Sequence, residues 1–432
     1  MKVNPETRLL FLITGAALLI RLLVGLGYKN RMTPGEPVQK ARSEAEYLRE
    51  PYLELGDSQQ YLLLAENLRT RGRFSWNGGP VTFRLPGYPL LLALINNNLI
   101  VMTVLQAVLS AMSVLFAGRA GMKVFGPVAG LVGAGLLAID IPNIAHCGMV
   151  MSEPLFVFLV TGALLALSYG REWLCGTMLG MAAMTRPIGV FLFLPVAVFL
   201  VWKRVRWQRV AVFLVCFGLL PGCWVVRNWR VWGRPGFSSN GGYNLFYAGA
   251  AEVVADKLQV PLAHARVYLV ERYQQELEGD NPLELGERLG RIGMRVIVQE
   301  PVRFLKVYLR SAGKIIFGTK ADDLVLRLVA PELRLARLGA LPEVLPVGVR
   351  MVIFLLSGLE LVLMGGTIFF LFRALLRAQP RSWVWLLLTL GVYFILLAAP
   401  LGDGRFRVPA MPFFTALAGA GWSGLLAKRR GG

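Results

Sequence analysis

Histidine and charge are what this chain is short of. Only two of its 432 residues are histidine, His146 and His264, so a multi-histidine metal centre is excluded. The four cysteines (Cys147, Cys175, Cys216 and Cys223) lie in or beside apolar runs without C-x-x-C spacing, which indicates neither a zinc site nor a disulfide framework. Charged residues make up 17% of the chain against 55% hydrophobic, too few and too many for an ordinary soluble domain. No repeat of fixed period and no low-complexity tract is present. The net charge of +20 comes without a zinc finger, a glycine-aromatic RNP box or a basic helix able to read bases, so nucleic acid does not account for it.

What the chain does have is long apolar runs. A helix needs about 20 apolar residues to cross the hydrocarbon core, and ten candidates lie near 8–27, 99–118, 125–145, 153–170, 172–185, 187–202, 209–226, 347–372, 382–400 and 408–427. The pair 172–185 and 187–202 is short and shares the hinge Thr185-Arg186-Pro187. The first run is too long for a signal-peptide core and lacks a small-x-small cleavage site, so it reads as a retained span. With the N-terminus in the cytoplasm, the short basic flanks Lys2/Arg8, Arg119/Lys123, Arg171, Lys203–Arg209, Arg373–Arg381 and Lys428–Arg430 all fall inside, as the positive-inside rule asks. Two long segments then lie outside, 28–98 and 227–346. This predicts an all-α polytopic bundle of about ten spans, with a module over 1–226, a loop region over 227–346 and C-terminal spans over 347–432. Within the second loop, "EPVRFLKVYLRSAGKIIFG" alternates Val302, Leu305, Tyr308, Leu309 and Ile316 with Arg303, Lys306, Arg310 and Lys314 at helical spacing, the pattern of a helix lying in the headgroup layer. A short eleventh span is the competing reading.

The polar residues between spans are the chemically informative ones. Asp57 opens "DSQQYLLLAENL", in which Tyr61, Leu64, Ala65 and Leu68 share one face. Its simplest account is an N-cap with Gln60 closing a capping box, which still leaves a carboxylate at the membrane surface. Glu153 in "MSEPLFVFL" stands at a helix start, where the macrodipole favours it, with Pro154 in the first turn. It is predicted to lie at the same depth as Asp57. Asp140 is a weaker member of the set. Arginines arrive at that level from separate span ends: Arg84 in "FRLPGYP", Arg227 in "VVRNW", and Arg405 and Arg407 in "GDGRFRVPAMP". One such arginine usually snorkels to the headgroups, and Asp403 could neutralise Arg405 or Arg407. Several together, with their planar forks, suit phosphate oxygens.

The ordered set "GDSQQYLLLAENL", "FRLPGYPLLLAL", "MSEPLFVFL", "MTRPIGVFLFLP", "PGCWVVRNWRVWGRPGFSSNGGYNL", "EPVRFL" and "GRFRVPAMPFFTALAG" resembles the polytopic glycosyltransferases of the GT-C fold, the group of the protein O-mannosyltransferases and the aminoarabinose transferases of lipid A. The resemblance covers nearly the whole chain. It implies a GT-C-like bundle and transfer of a sugar, with inversion, from a polyprenyl-phosphate donor to an acceptor hydroxyl on the outer face of the cytoplasmic membrane. Asp57 matches the acid that serves the acceptor, here as general base, and Glu153 matches the second acidic motif. Arg405 matches the arginine that holds the lipid phosphate, with Arg407 second because the motif reads "RFR"; Arg84 precedes the proline-glycine-tyrosine-proline turn. Arg227 is the remaining donor-phosphate candidate. Tyr61, Tyr88, Asn228 and His146 are candidate contacts to donor or acceptor, with a hydrogen-bonded filler as the competing account of His146. A divalent cation (Mg or Mn) on Asp57 and Glu153 stays open, since relatives differ in needing one. The chain lacks the large soluble C-terminal domain of several relatives, which leaves the acceptor open among lipid, glycan and protein. A flippase for a polyprenyl-linked sugar and a non-catalytic lipid-binding subunit are the alternatives.

Overall fold

The computed structural model describes residues 4–32, 43–50, 56–76, 79–329 and 345–429, and nearly all of them are helical. Asn4 caps the first helix by accepting the Glu6 N–H at 2.9 Å, Pro5 sets its first turn, and the apolar run behind them forms α1 (Pro5–Gly27). Then come α2 (Glu44–Arg49), α3 (Asp57–Arg71), α4 (Gly87–Leu94), α5 (Leu99–Phe125), α6 (Pro127–Ala138), α7 (Ile141–Ala145), α8 (Glu153–Ser168), α9 (Glu172–Thr185), α10 (Phe193–Trp202) and α11 (Trp207–Trp232). The second half holds α12 (Asn240–Asn244), α13 (Ala251–Leu258), α14 (Leu262–Arg272), α15 (Pro282–Gln299), α16 (Pro301–Phe317), α17 (Ala321–Val329), α18 (Val347–Arg377), α19 (Arg381–Ala398) and α20 (Met411–Arg429). Among the described residues the strand content is a single antiparallel ladder, Ser75–Trp76 against Gly79–Pro80.

All ten apolar stretches are helical, but by length and composition fewer of them can cross a bilayer alone. Among the described residues, five helices qualify: α1, α5, α11, α18 and the stretch Arg381–Leu401. The stretch near 125–145 is not one straight span. It breaks after Ala138 and the two pieces, Pro127–Ala138 and Ile141–Gly148, meet at 57°, giving a sixth span only if they count as one. Glu153–Ser168 and Pro187–Trp202 are shorter apolar helices. Helix α11 runs on past the apolar run near 209–226 to Trp232, so Arg227 and Asn228 ride its last turns and not a loop.

The break near Ala138 is where lipid physics bears hardest, because a helix end in an apolar interior leaves carbonyls that nothing solvates. Arg21, fully buried on α1, closes it: its Nη1 donates to the carbonyl of Ala138 at 2.9 Å and its Nη2 to that of Leu137 at 3.2 Å, while Nε donates to Ser110 Oγ at 2.8 Å. Helices α9 and α11 approach equally closely elsewhere. A Cβ at Gly176 would stand 2.3 Å from the Phe213 carbonyl oxygen, and one at Gly180 2.6 Å from that of Phe217, so this small-x-x-x-small face admits nothing larger.

Two of the buried clusters place the site. Phe156, Leu179, Phe394 and Phe413 are among the buried residues of the transmembrane bundle. The second core joins the two inter-span segments: Leu48, Leu64, Trp76 and Phe83 from the first pack with Phe246, Leu269 and Leu289 from the second. The described parts of the two segments, from Ala45 to Phe83 and from Phe246 to Ile297, therefore meet in one cap. Glu44 pins it together, accepting the Thr82 N–H and the Thr82 hydroxyl, each at 2.6 Å, and the Ser239 hydroxyl at 2.7 Å. Helix α16 covers the residues assigned to it. Its Val307, Ser311 and Ile315 are buried, whereas Val302, Leu305 and Leu309 are exposed beside basic residues that converge on Asp256 (Arg303 3.0 Å, Lys306 3.4 Å). Exposed leucine and valine beside cations is the composition of a surface that lies against headgroups.

Replacing Arg21 by Leu strands buried carbonyls whose desolvation costs about 1–3 kcal/mol each. The expected outcome is an inserted protein with a clearly lowered unfolding midpoint in detergent, measured by thermal denaturation beside the parent; an unchanged midpoint would refute the capping role.

Candidate active site

The carboxylate of Asp57 sits where the cap meets the bundle. The expected capping box does not form, because Gly56 is the N-cap of α3 and makes no side-chain cap bond, while Asp57 is the first helical residue. Its side chain turns instead to two arginines. Arg84 Nη2 donates to Oδ1, and Arg405 Nη1 donates to Oδ2 at 3.1 Å across 348 positions of sequence. The three side chains retain only 20% (Asp57), 15% (Arg84) and 29% (Arg405) of their exposure. Burial alone would oppose ionisation of Asp57, but the facing charges of Arg84 and Arg405, with Arg186 adding to them, hold its carboxyl well below the usual carboxylate range.

Each member is fixed by what its own segment supplies. Arg84 Nε donates to Gln60 Oε1 at 2.7 Å, one turn along α3, and its guanidinium lies against the rings of Tyr61 (5.1 Å) and Phe83 (5.0 Å). Arg405 is held through its backbone: Asp403 Oδ1 accepts the Arg405 N–H at 2.7 Å, capping the short 3-10 turn Gly404–Arg407, and the same carboxylate is paired with Lys320 Nζ at 2.8 Å. Asp403 thus neutralises Lys320, while Arg405 pairs with Asp57.

Glu153 starts α8 with Pro154 in the first turn, and is 1% exposed. Arg186, from the hinge after α9, places Nη1 2.7 Å from Glu153 Oε1 and donates to Ser152 Oγ at 3.1 Å. The alignment at Glu153 is that of an ion pair rather than a hydrogen bond, and both its oxygens lack a hydrogen-bond donor. Tyr61 and Tyr88 stack edge to face (4.9 Å); the Tyr61 hydroxyl lies 3.2 Å from Ser152 Oγ and that of Tyr88 donates to Gln106 at 2.7 Å. Gln106 in turn donates to the carbonyls of Cys147 and Met149, and Ser58 to that of Val150, so α3 and α5 together shape the strap leading to Glu153. His146 lies in that strap, buried, its Nδ1 2.6 Å from the Pro142 carbonyl.

Three expected residues are engaged elsewhere. Arg407, two residues from Arg405, points the other way: it is 2% exposed, pairs with Glu360 on α18 and donates to the carbonyls of Ile316 (3.1 Å) and Gly318 (2.6 Å). Arg227 donates to the carbonyl of Val81 at 3.0 Å and to Asn228 Oδ1 at 2.8 Å, and lies over Trp224, so it fastens the cap to α11. Asn228 donates to the Gly236 carbonyl at 2.8 Å. Sequence reasoning assigned no role to Arg186, Lys320 or Glu44, and gave Gln60 only the capping box that does not form. An arginine before proline between two apolar runs was a signal for Arg186; nothing local marks the others. As candidate holders of a divalent cation, Asp57 and Glu153 do not fit: both already face guanidinium groups, and among the described residues no group of three His, Cys, Asp or Glu side chains converges.

No family model and no curated protein matches the sequence. The fold does match a solved structure, the archaeal oligosaccharyltransferase AglB from Archaeoglobus fulgidus in complex with an inhibitory peptide and a dolichol-phosphate, at a TM-score of 0.52 and 12% identity over 98% of this chain. Weaker superpositions are found on the apo form of the A. fulgidus oligosaccharyltransferase (TM-score 0.48, 14% identity, 99% of this chain and 51% of that one) and on ArnT from Cupriavidus metallidurans bound to undecaprenyl phosphate (0.36, 13%, 96% and 78%). The chain has the GT-C-like membrane fold, and spans about half (50%) of the length of AglB.

Two outcomes follow from these contacts. Breaking a buried ion pair from one side costs about 3–5 kcal/mol, so Arg407→Met is expected to lower the unfolding midpoint much more than Arg405→Met, with Glu360→Leu restoring part of the loss in the Arg407→Met background. Because the folded pKa of Asp57 is depressed, its pairing stabilises the fold fully above the unfolded value near 4 and is lost only as pH falls further. The midpoint difference between the parent and Asp57→Asn should stay constant from pH 8 to pH 5; a step within that range would contradict the arrangement.

Proposed function

We propose that the protein is an inverting membrane glycosyltransferase that moves a sugar from a polyprenyl-phosphate donor to an acceptor hydroxyl. The observation that carries this reading is the meeting of Asp57 with Arg84 and Arg405, a carboxylate and two guanidinium groups delivered by three distant segments to the rim of a transmembrane bundle. A lipid-linked phosphate keeps its tail among apolar helices and its head at their ends, the level at which these groups stand.

The chemistry this site suits is a single displacement. Arg405 stabilises the charge that gathers on the departing phosphate, electrostatic work done by a preorganised cation in a sheltered site. The acceptor oxygen forms a bond to the anomeric carbon as the bond from that carbon to the phosphate oxygen breaks, its electron pair leaving with the polyprenyl phosphate. Asp57 takes the hydroxyl proton. Attack opposite the leaving group inverts the anomeric centre. Glu153, held by Arg186 beside Tyr61 and Ser152, orients the acceptor. None of these steps is routed through a metal.

Contacts join basic flanks to neighbouring span ends: Arg119 reaches Thr7, and Arg209 reaches the Gly170 carbonyl. The positive-inside rule then sets both termini in the cytoplasm and the site on the outer face of the cytoplasmic membrane. The acceptor, whether lipid, glycan or protein, would be met by the cap. A flippase of the alternating-access kind is less well supported, since among the described residues the broken α6–α7 pair has no counterpart in a second half.

Loss of a general base typically costs 10²–10⁴ in rate. Asp57→Asn, reconstituted in nanodiscs with lipid-linked sugar donor and a membrane extract as acceptor source, is expected to lose transfer by about that factor, read by mass spectrometry of sugar-bearing products. Arg405→Ala should weaken binding of undecaprenyl phosphate. Full turnover by Asp57→Asn would sink the assignment.

A further inference from the structure

We propose that Asp57 competes with the donor for Arg405: in the unloaded protein it occupies the guanidinium that a lipid phosphate takes, whereas Arg84 stays on Asp57 throughout as its positioning residue. This rests on the phosphate-binding reading above and assigns the two arginines opposite duties.

The asymmetry is in their attachments. Arg84 is fastened on every side, by Gln60 at 2.7 Å, by Asp57, and by the rings of Tyr61 and Phe83; its removal from the carboxylate would strand the Gln60 bond and open the aromatic packing of the cap. Arg405 is anchored through its backbone, its N–H to Asp403 and its carbonyl to the Val408 N–H. Its guanidinium meets Asp57 at 3.1 Å and lies over the ring of its own neighbour Phe406 at 4.6 Å, and it is about twice as exposed as that of Arg84, 29% against 15%. Arg407 shows what a fixed guanidinium in this turn looks like, with two backbone carbonyls and a carboxylate around it. Moving Arg405 from a carboxylate to a phosphate exchanges one charge-assisted pair for another, and phosphate accepts the same planar fork.

The exchange changes Asp57 as well. In the unloaded protein Oδ1 accepts from Arg84 and Oδ2 from Arg405, so a hydrogen bond from an acceptor hydroxyl would share each oxygen with a cationic donor. When Arg405 leaves, Oδ2 is freed to accept that hydrogen bond, and the carboxylate faces one cation fewer, which makes it a stronger base. The base is therefore strengthened by the donor, and an acceptor or water meeting the site first finds it paired with two cations. Arg84 meanwhile keeps Oδ1, and with it the aim of Oδ2.

The test is equilibrium binding of undecaprenyl phosphate, with undecaprenol as the uncharged control, to the full-length protein in nanodiscs. The parent is expected to prefer the phosphate. Asp57→Asn, which removes the competitor, is expected to bind it more tightly, by about tenfold, and the gain should vanish in Asp57→Asn/Arg405→Gln. If the parent shows no preference for the phosphate over the alcohol, the glycosyltransferase reading fails; if it does, but Asp57→Asn binds equally or more weakly, the exchange fails alone. A structure of the parent with undecaprenyl phosphate provides a measurement independent of variant folding: Arg405 should lie on the phosphate with Arg84 still on Asp57. Phosphate bound with the Asp57–Arg405 contact intact, or with Arg84 displaced instead, would overturn the proposal.

Discussion

A carboxylate at the rim of an apolar bundle cannot be left alone, and the neutralisation of Asp57 is the constraint around which this protein is built. Burial works against its charge, and two guanidinium groups restore it. One comes from the turn before α4 and the other from the turn before the last helix, so a single anion joins the beginning of the chain to its end. The cap must be folded for Arg84 to arrive, since that arginine leans on Phe83, whose ring belongs to the core shared by both inter-span segments. The bundle must be closed for Arg405 to arrive, since its turn is braced by Arg407 and Glu360 between spans. Fold and site are in this sense one set of contacts.

The membrane imposes the second requirement, that every interrupted helix find partners for its open ends. Arg21 does this for the α6 break, and Arg407 does it for the carbonyls of Ile316 and Gly318 where α16 ends. Both are arginines deep in apolar surroundings, the kind of residue that reads as functional by default. Both serve the backbone.

Much of this was legible beforehand, and the reasons differ by residue. Apolar runs and flanking charge located the helices, because hydrophobicity and length act locally; the amphipathic helix over 301–317 followed from spacing alone. Asp57, Arg84 and Arg405 could be named from their motifs, yet not their mutual contact, which depends on a third dimension that no window of sequence contains. Arg405 and Arg407 could not be ranked by geometry, as both occupy one turn and the direction of each is set by partners on other elements, Asp57 for the first and Glu360 for the second. Arg227 was misleading for a related cause: the helix outlasts its apolar stretch, so a residue expected at a loop entrance stands inside α11. The 57° bend at 139–140 was marked only by Asp140 and Pro142, which cap and open the second piece, and the arginine that closes the break lies more than a hundred residues away.

The turn Gly404–Arg407 has a mechanical meaning beyond its electrostatics. Gly404 approaches the Gly318 carbonyl so closely that a Cβ there would stand 2.7 Å from the oxygen, and Arg407 clamps that same carbonyl from the far side. The backbone is thereby a rigid pivot on which one long side chain can swing. On the proposed reading, the site can then answer a lipid phosphate by rotating a few bonds of Arg405 while the turn beneath it keeps its contacts.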